Sequence, residues 1–276
     1  MQNVLLLAYK PIFMSSNQYL SYLKKKYQQK SGGYLGTLDP FAKGLMIVAF
    51  GQYTKIFPYL QGSKLYRGVL WLGASSRSLD IENISQIQVL PPFDAMLVRE
   101  IVESLRGKIS YEPPRFSAKR IQGRRAYDLA RKNLDFSLPQ CEMEIFDSKF
   151  LGYEHPFVSF EVRVSKGAYV RSIGELIAQR LGVSGALCML ERREEAGVTL
   201  QEDRGEKILN PLDLLQFPLF PYQDKEWKNA IFHGKKLCIK NVNFGIYVAN
   251  FEDFFSIIEV KKDGEMHYLQ NRIYKC

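Results

Sequence analysis

The apolar residues of this chain fall in short runs, and that pattern narrows the fold more than any other feature. Residues 4–8 and 45–50 are apolar stretches closed by breakers, Lys10-Pro11 and Gly51, and residues 65–72, ending at Gly73, read as a further strand. Runs of that length bounded by turn residues read as strands rather than helices. Helical periodicity occurs elsewhere. Ser15 and Ser16 offer an N-cap to a helix reaching about Gln29, with Leu20, Leu23 and Tyr27 on one face and Gly32 and Gly33 as its stop. Asp94 caps a second helix whose apolar face includes Leu97, Ile101 and Leu105. Residues 170–181 form a third through Ile173, Leu176, Ile177 and Leu181, and residues 140–163 read as two strands around the His155-Pro156 turn. Strands and helices alternate without the regularity of βαβ folds, so the expected class is α/β in the α+β sense.

A chain of 276 residues can bury one good core and still append a small satellite. Pro218 and Pro221 bracket Leu219-Phe220 and suggest a linker. Beyond it, residues 235–239, 245–250, 255–260 and 265–269 read as short strands of a small all-β module. The expected division is a domain over 1–221 and a second over 222–276.

Thirty-eight Lys and Arg against 29 Asp and Glu give a net charge of +9, which favours a polyanionic partner. The basic run Lys24-Lys25-Lys26 lacks the opposing apolar face of a membrane-surface helix, so nucleic acid is favoured over membrane. With no secretory signal and no run of about eighteen apolar residues, a cytoplasmic location is expected. Cys141, Cys188, Cys238 and Cys276 are too scattered for a disulfide framework or a zinc site, and they read as ordinary thiols. His155, His233 and His267 show no metal-ligand spacing, so no metal is expected. The densest basic stretch lies between Gly107 and Leu134. There Arg115, Lys119, Arg120, Arg124, Arg125, Arg131 and Lys132 interleave with Tyr111, Phe116 and Tyr127, a pairing suited to phosphates and bases together.

Phosphate-binding, dinucleotide-binding, nucleophile-elbow and zincin motifs are all missing from the sequence. What remains is Asp39, a carboxylate in a Gly- and Thr-containing loop placed between a helix and a strand. Taken alone, Asp before Pro is a common turn.

Ordered blocks change that reading. Residues 33–45, Gly-Tyr-Leu-Gly-Thr-Leu-Asp-Pro-Phe-Ala-Lys-Gly-Leu, resemble the G-H-x-G-[TA]-L-D-P-x-A-x-G-[LM] signature of the TruB-type tRNA pseudouridine synthases. Lys10-Pro11 with Ser15-Ser16-Asn17 is similar to the family's K-P-x-G-x-[ST]-S, and residues 51–55 resemble G-x-A-T-K. Lys64-x-Tyr66 leading to Leu72-Gly73 is similar to K-x-Y followed by L-G. Residues 113–118 resemble P-P-x-[YF]-S-A, residues 165–172 resemble S-x-G-T-Y-[IV]-R-[ST], and Arg192-Arg193 up to Gly197 resembles the R-R-x-x-x-G tail.

The resemblance implies a catalytic domain built on a mixed, largely antiparallel sheet flanked by helices, ending in a small PUA-like β-module. It implies isomerisation of uridine 55 in the T-loop of tRNA. The bond from C1′ to N1 breaks and one from C1′ to C5 forms, which requires no cofactor. It also implies a flipped-out base. Asp39 would be the catalytic carboxylate, acting at C1′ or C6 as nucleophile or at C2′ as base. Arg171 would pair with it and keep it ionised and oriented. Tyr66 would stack on the target base and is a candidate for proton transfer at C5. Tyr169, Lys10, Tyr34 and Asp80 complete the expected substrate-binding set, and Arg115, Lys119, Arg120, Arg124 and Arg125 would grip RNA. The expected partner is the T-arm of tRNA, and the expected state a monomer.

Three departures stand out. Tyr34 replaces the signature's His, Ser76-x-Ser78-x-Asp80 replaces T-x-T-x-D, and Glu191 stands where the family has Leu, as a carboxylate in a pocket wall. Two rival classes are a non-catalytic RNA-binding protein and a carboxylate-dependent nucleosidase, which generally needs a second acid and a path for water.

Overall fold

The computed structural model describes residues 3–117, 119–121, 123–132, 134–199, 205–222 and 224–275. Cys276, and Ala118 of the 113–118 block, lie outside them. The first four strands of the chain are β1 (Val4–Lys10), β2 (Gly32–Leu35), β3 (Lys43–Phe50) and β4 (Lys64–Leu72). They belong to a ten-stranded sheet ordered Lys207–Ile208, β1, β3, Gly185–Glu195, β4, Phe157–Val164, Cys141–Glu154, Gly107–Tyr111. Here β2 also pairs with β3, and Val198–Thr199 with Gly185–Glu195. Every pairing is antiparallel except one, in which Glu191 and Arg192 run parallel to Lys43 and Gly44. The sheet is thus mixed and largely antiparallel.

Burial explains the strand patterns. In β4, Tyr66, Gly68, Leu70 and Leu72 are buried while the residues between them are half-exposed, the period of two expected of a strand with one face on a core. The centrally placed β3 is covered on both faces and its apolar run is accordingly unbroken. Leu45, Ile47 and Ala49 join one apolar cluster, and Met46, Val48 and Phe50 join another with Tyr19 and Leu23.

Helix α1 (Ser16–Lys26) begins at a capping box in which Ser15 Oγ accepts from the Gln18 amide and the Gln18 side chain accepts from the Ser15 amide. Gly32 and Gly33 do not close a turn after it. They open β2, where a Cβ on Gly32 would run into the Phe50 ring. The Asp39 loop therefore joins two strands, not a helix and a strand. Helix α2 (Ala95–Glu103) is capped by Asp94 as expected, but it buries Val98, Val102 and the following Leu105 and leaves Leu97 exposed. The sequence fits either stripe at helical spacing, and the β-branched one meets the core. Helix α3 (Ala126–Arg131) lies in the basic stretch, and helix α4 (Val170–Arg180) buries Ile173 and Ile177 against the core that holds Leu70 and Leu187.

The C-terminal part forms a three-stranded sheet of Gly245–Asn250, Phe254–Val260 and Met266–Tyr274. Instead of a strand at 235–239 there is only a Cys238–Glu265 bridge, and a helix, Lys225–Phe232, precedes it behind an Asp224 cap. The proline-bracketed segment is not a free tether. The Phe220 amide donates to Val248 O, the Val248 amide donates to Pro218 O, and Phe220 is fully buried. One apolar cluster joins Leu5 and Leu7 to Phe255, Ile257 and Ile273. Beside it Asn3 Nδ2 donates to Tyr274 O at 2.8 Å across 271 residues, and the Tyr274 amide donates to Gln52 Oε1 at 3.0 Å. No described helix is long and apolar enough to cross a membrane.

Candidate active site

Asp39 is held by its neighbours. Leu38 and Phe41 on either side are buried in the core that also holds Tyr66. The Leu38 amide donates to Ser16 Oγ at 2.9 Å and Ser16 Oγ donates to Leu38 O at 2.8 Å, which fixes the loop to the start of α1. The Ala42 amide donates to Asp39 O at 3.1 Å. Beneath the loop, Gly36 has φ +65°, and a Cβ there would overlap Glu195 Oε1 and Lys64 Nζ. Those two side chains are ion-paired at 3.0 Å, and Glu195 Oε2 lies 3.1 Å from Arg192 Nη2. Arg192, with no exposed surface, also donates to Gly36 O from both Nη atoms at 3.1 Å and from Nε to Leu45 O at 2.8 Å. A buried arginine paired and hydrogen-bonded in this way defines the loop's height above the sheet.

The Asp39 carboxylate meets a second buried arginine. Arg171 Nε lies 2.9 Å from Asp39 Oδ2, and Nη2 donates to Oδ1 at 3.1 Å, a side-on fork that fixes the plane of the carboxylate. The Asp39 side chain stays 31% exposed while that of Arg171 is 3% exposed. The rest of the guanidinium is held from behind. Nη1 donates to Ser78 O at 2.9 Å and to Asp80 Oδ2 at 3.3 Å, and Nη2 donates to Phe116 O at 3.0 Å. Asp80 Oδ1 accepts from Ser78 Oγ at 2.6 Å and from the Glu82 amide at 3.0 Å. Burial pushes the Asp80 carboxyl above its ordinary range, partly offset by the Ser78 hydrogen bond and the Arg171 charge. Burial also raises Glu82, helped by the charges of Asp80 and Asp39. Serines at 76 and 78 both hold the Asp80 segment through their hydroxyls: Ser76 Oγ donates to Asp80 O at 2.6 Å.

Two cavities meet at Asp39, and Thr37, Leu38, Asp39 and Arg171 line both. One, of about 310 Å³, is walled by Tyr66, Tyr169, Val170, Leu190 and Lys64. The other, of about 540 Å³, is walled by Asn17, Tyr34, Asp80, Glu82, Phe116 and Tyr127. Tyr66 and Tyr34 therefore flank Asp39 from opposite sides, and Tyr34 Oη donates to Asn17 Oδ1 at 3.0 Å.

Lys10 lies outside both cavity walls. It is fully buried, and its Nζ donates to the carbonyls of Pro11, Met14 and Pro40 at 2.9, 2.5 and 3.4 Å. Burial lowers its pKa to about 8 against the opposing pull of Asp39. Its place is that of a post tying the 11–14 loop to the Asp39 loop. Glu191 does not form a pocket wall either: it accepts from Tyr9 Oη at 2.8 Å, and its neighbour Leu190 faces the cavity. Lys64 and Glu195, which do line the cavity, were not singled out by sequence reasoning. The only sign of Lys64 was its place in the K-x-Y block.

In the basic stretch, Arg120 and Arg124 are exposed on a two-stranded ribbon. Arg115 is exposed too, but its guanidinium is engaged locally, donating to Leu134 O at 3.0 Å and lying 4.6 Å above the Phe136 ring. Lys119 contacts Cys141 Sγ, and Arg125 caps α3 half-buried.

Comparison with known proteins gives these contacts a class. Residues 24–170, which include Asp39, Tyr66, Asp80 and Tyr169, match the model of the TruB family pseudouridylate synthase N-terminal domain. Similarity extends further along the chain. A tRNA pseudouridine synthase B of Helicobacter hepaticus is 50% identical over 275 residues, covering 99% of this chain and 96% of that one. A tRNA pseudouridine synthase B of Campylobacter jejuni strain 81-176 is 45% identical over 278 residues, covering 99% of this chain and all of that one (100%). The chain belongs to the TruB family of pseudouridylate synthases, isomerases that convert uridine to pseudouridine. The fold likeness reaches beyond close relatives. An H/ACA RNP bound to a substrate RNA containing 2′-deoxyuridine aligns with TM-score 0.68 at 16% identity over 99% of this chain and 85% of that one. A Cbf5-Nop10-Gar1 complex aligns with TM-score 0.65 at 16% identity over 99% and 84%.

Proposed function

We propose that this protein converts uridine 55 in the T-loop of tRNA to pseudouridine, with Asp39 as the catalytic carboxylate. The observation that carries the reading is the Asp39–Arg171 fork: one carboxylate, held in a fixed plane by a buried arginine, left partly exposed at the mouth of an aromatic cavity. That cavity, about 310 Å³, is at the lower end of ordinary small-ligand clefts and suits a single nucleoside. Tyr66 and Leu190 offer the base a face on which to lie, Arg171 orients Asp39 toward the sugar and ring, and Tyr66 is placed for the proton at C5. Relatives named for tRNA support the substrate. Of the other carboxylates nearby, Asp80 and Glu195 are buried and paired with arginines, and Glu82 walls the other cavity rather than the one that holds Tyr66, so none of them faces Asp39 across the Tyr66 cavity as the free second acid of a nucleosidase.

The reading extends to a monomer in the cytoplasm gripping the T-arm with Arg120 and Arg124, with 1–221 as the catalytic domain and 222–276 as a PUA-like module. The test is tRNA labelled with tritium at uridine C5. Wild type should release tritium and leave pseudouridine at position 55, whereas Asp39→Asn should bind the same tRNA with Kd within a few-fold of wild type and release none. Turnover by that variant at the wild-type rate, or pseudouridine elsewhere in the tRNA, rules the proposal out.

A further inference from the structure

Phe13 has φ +60°, in the left-handed region that residues bearing a Cβ rarely adopt. The family pattern K-P-x-G-x-[ST]-S, laid on Lys10-Pro11, places a glycine there. The turn is held firmly despite this strain. The Phe13 amide donates to Pro40 O at 2.7 Å, next to Asp39, and Lys10 Nζ binds carbonyls on both sides of the turn. The side chain adds nothing to the core in return. Phe13 is 68% exposed, and its neighbour Ile12 is 42% exposed. A strained backbone that turns a phenyl ring to solvent points to a role for the ring outside packing.

The position indicates that role. The 11–14 turn forms a ridge between the larger of the two Asp39 cavities, where Ser15, Tyr34 and Pro40 are wall residues, and a separate cavity lined by Pro11, Met14, Tyr19, Tyr22 and Lys26. Drawing one base into a pocket strips its neighbours of a stacking partner, and unpaired RNA bases find such partners on aromatic side chains. We infer that Phe13 is a stacking platform for the nucleotide adjoining the target uridine, and so sets which flanking bases the site accepts. This rests on the RNA-modifying reading above. The contact is made in binding rather than in bond exchange, so it acts on KM and leaves kcat alone.

The test uses the full chain and a T-arm stem-loop RNA carrying 2-aminopurine, in turn, at each nucleotide flanking the target. Wild type, Phe13→Trp, Phe13→Leu and Phe13→Gly are titrated while fluorescence is read. Phe13→Gly and Phe13→Leu should weaken binding roughly tenfold, within the usual range for one lost base–aromatic stack. They should also abolish a fluorescence change at one flanking position, and Phe13→Trp should restore both. Phe13→Gly should melt at a higher temperature than wild type because the strain is removed, and its KM should rise with kcat unchanged. Equal affinities and identical fluorescence for all four proteins overturn the proposal, as does a lower melting temperature for Phe13→Gly. Binding is read without turnover, so a wild type that shows the stacking signal but makes no pseudouridine removes the functional reading and leaves this one standing.

Discussion

The cleft and the basic stretch both rely on charge, but in opposite ways. Around Asp39 the side chains of Arg171, Asp80, Arg192 and Glu195 are 3%, 2%, 0% and 1% exposed, and each faces an opposite charge. On the two-stranded ribbon Arg120 and Arg124 face water. Buried, paired charges are strongly directional and costly to break, whereas exposed cations act at a distance and are screened by salt. The first region can set geometry, and the second can set encounter and affinity.

The sharpest way to break that contrast is Arg171→Ala. It strands Asp80 without its countercharge and removes the fork from Asp39. Destabilisation of about 3–5 kcal/mol is expected in denaturant melts, together with loss of tritium release. If stability and activity survive, the buried charges are not what positions Asp39. Gly36→Ala should come next. The positive φ costs about 1–3 kcal/mol, and the Cβ displaces the Lys64–Glu195 pair and the loop above it. A shift near 1 Å at a reacting group lowers kcat by about 100-fold. Single-turnover rates at saturating RNA would detect this, and a change confined to KM would contradict it. Arg120→Ala with Arg124→Ala tests the other side. Affinity for tRNA should fall several-fold, the slope of log Kd against log salt should drop by about 1.4–1.8, and stability should stay within about 0.5 kcal/mol. An unchanged slope would mean the ribbon touches no phosphate.

The smallest effect concerns Lys10, a buried charge behind the Asp39 loop held by carbonyls instead of an acid. Its folded pKa of about 8 lies below the ordinary lysine value of 10.5. Between those values the unfolded chain binds more protons, so this group's contribution to stability rises with pH. Relative to Lys10→Met, wild type should gain a few degrees in Tm between pH 8 and pH 10. Parallel melting curves across that window would show that Lys10 does not titrate there.

What the sequence revealed divides along the same line. At Asp39 only a turn was legible locally, from the Gly and Pro around it; the carboxylate's role came through the resemblance, and the strand before the loop was missed. Arg171 was legible only through a resemblance, since 132 residues separate it from Asp39. The Lys64–Glu195–Arg192 cluster was not, because nothing local tells a buried strand arginine from an exposed one. In α2 the stripes through Leu97 and through Val98 both satisfy helical spacing, and only the position of the core decides between them. Lys10 was expected at the substrate, and nothing in the residue types shows that its Nζ folds back onto the carbonyls of Pro11, Met14 and Pro40. The strain at Phe13 is a backbone property that residue types do not disclose.

The cluster that joins Leu5 and Leu7 to Phe255 and Ile273 has a consequence for how the protein is made. Leu5 is synthesised well before Ile273, so Leu35, Leu45, Ile47, Tyr53 and Ile56 can cover that face of β1 early, and the last part of its cover must wait for the later strands. Contacts so far apart in the chain are slow to form, and apolar surface left open meanwhile is prone to aggregate.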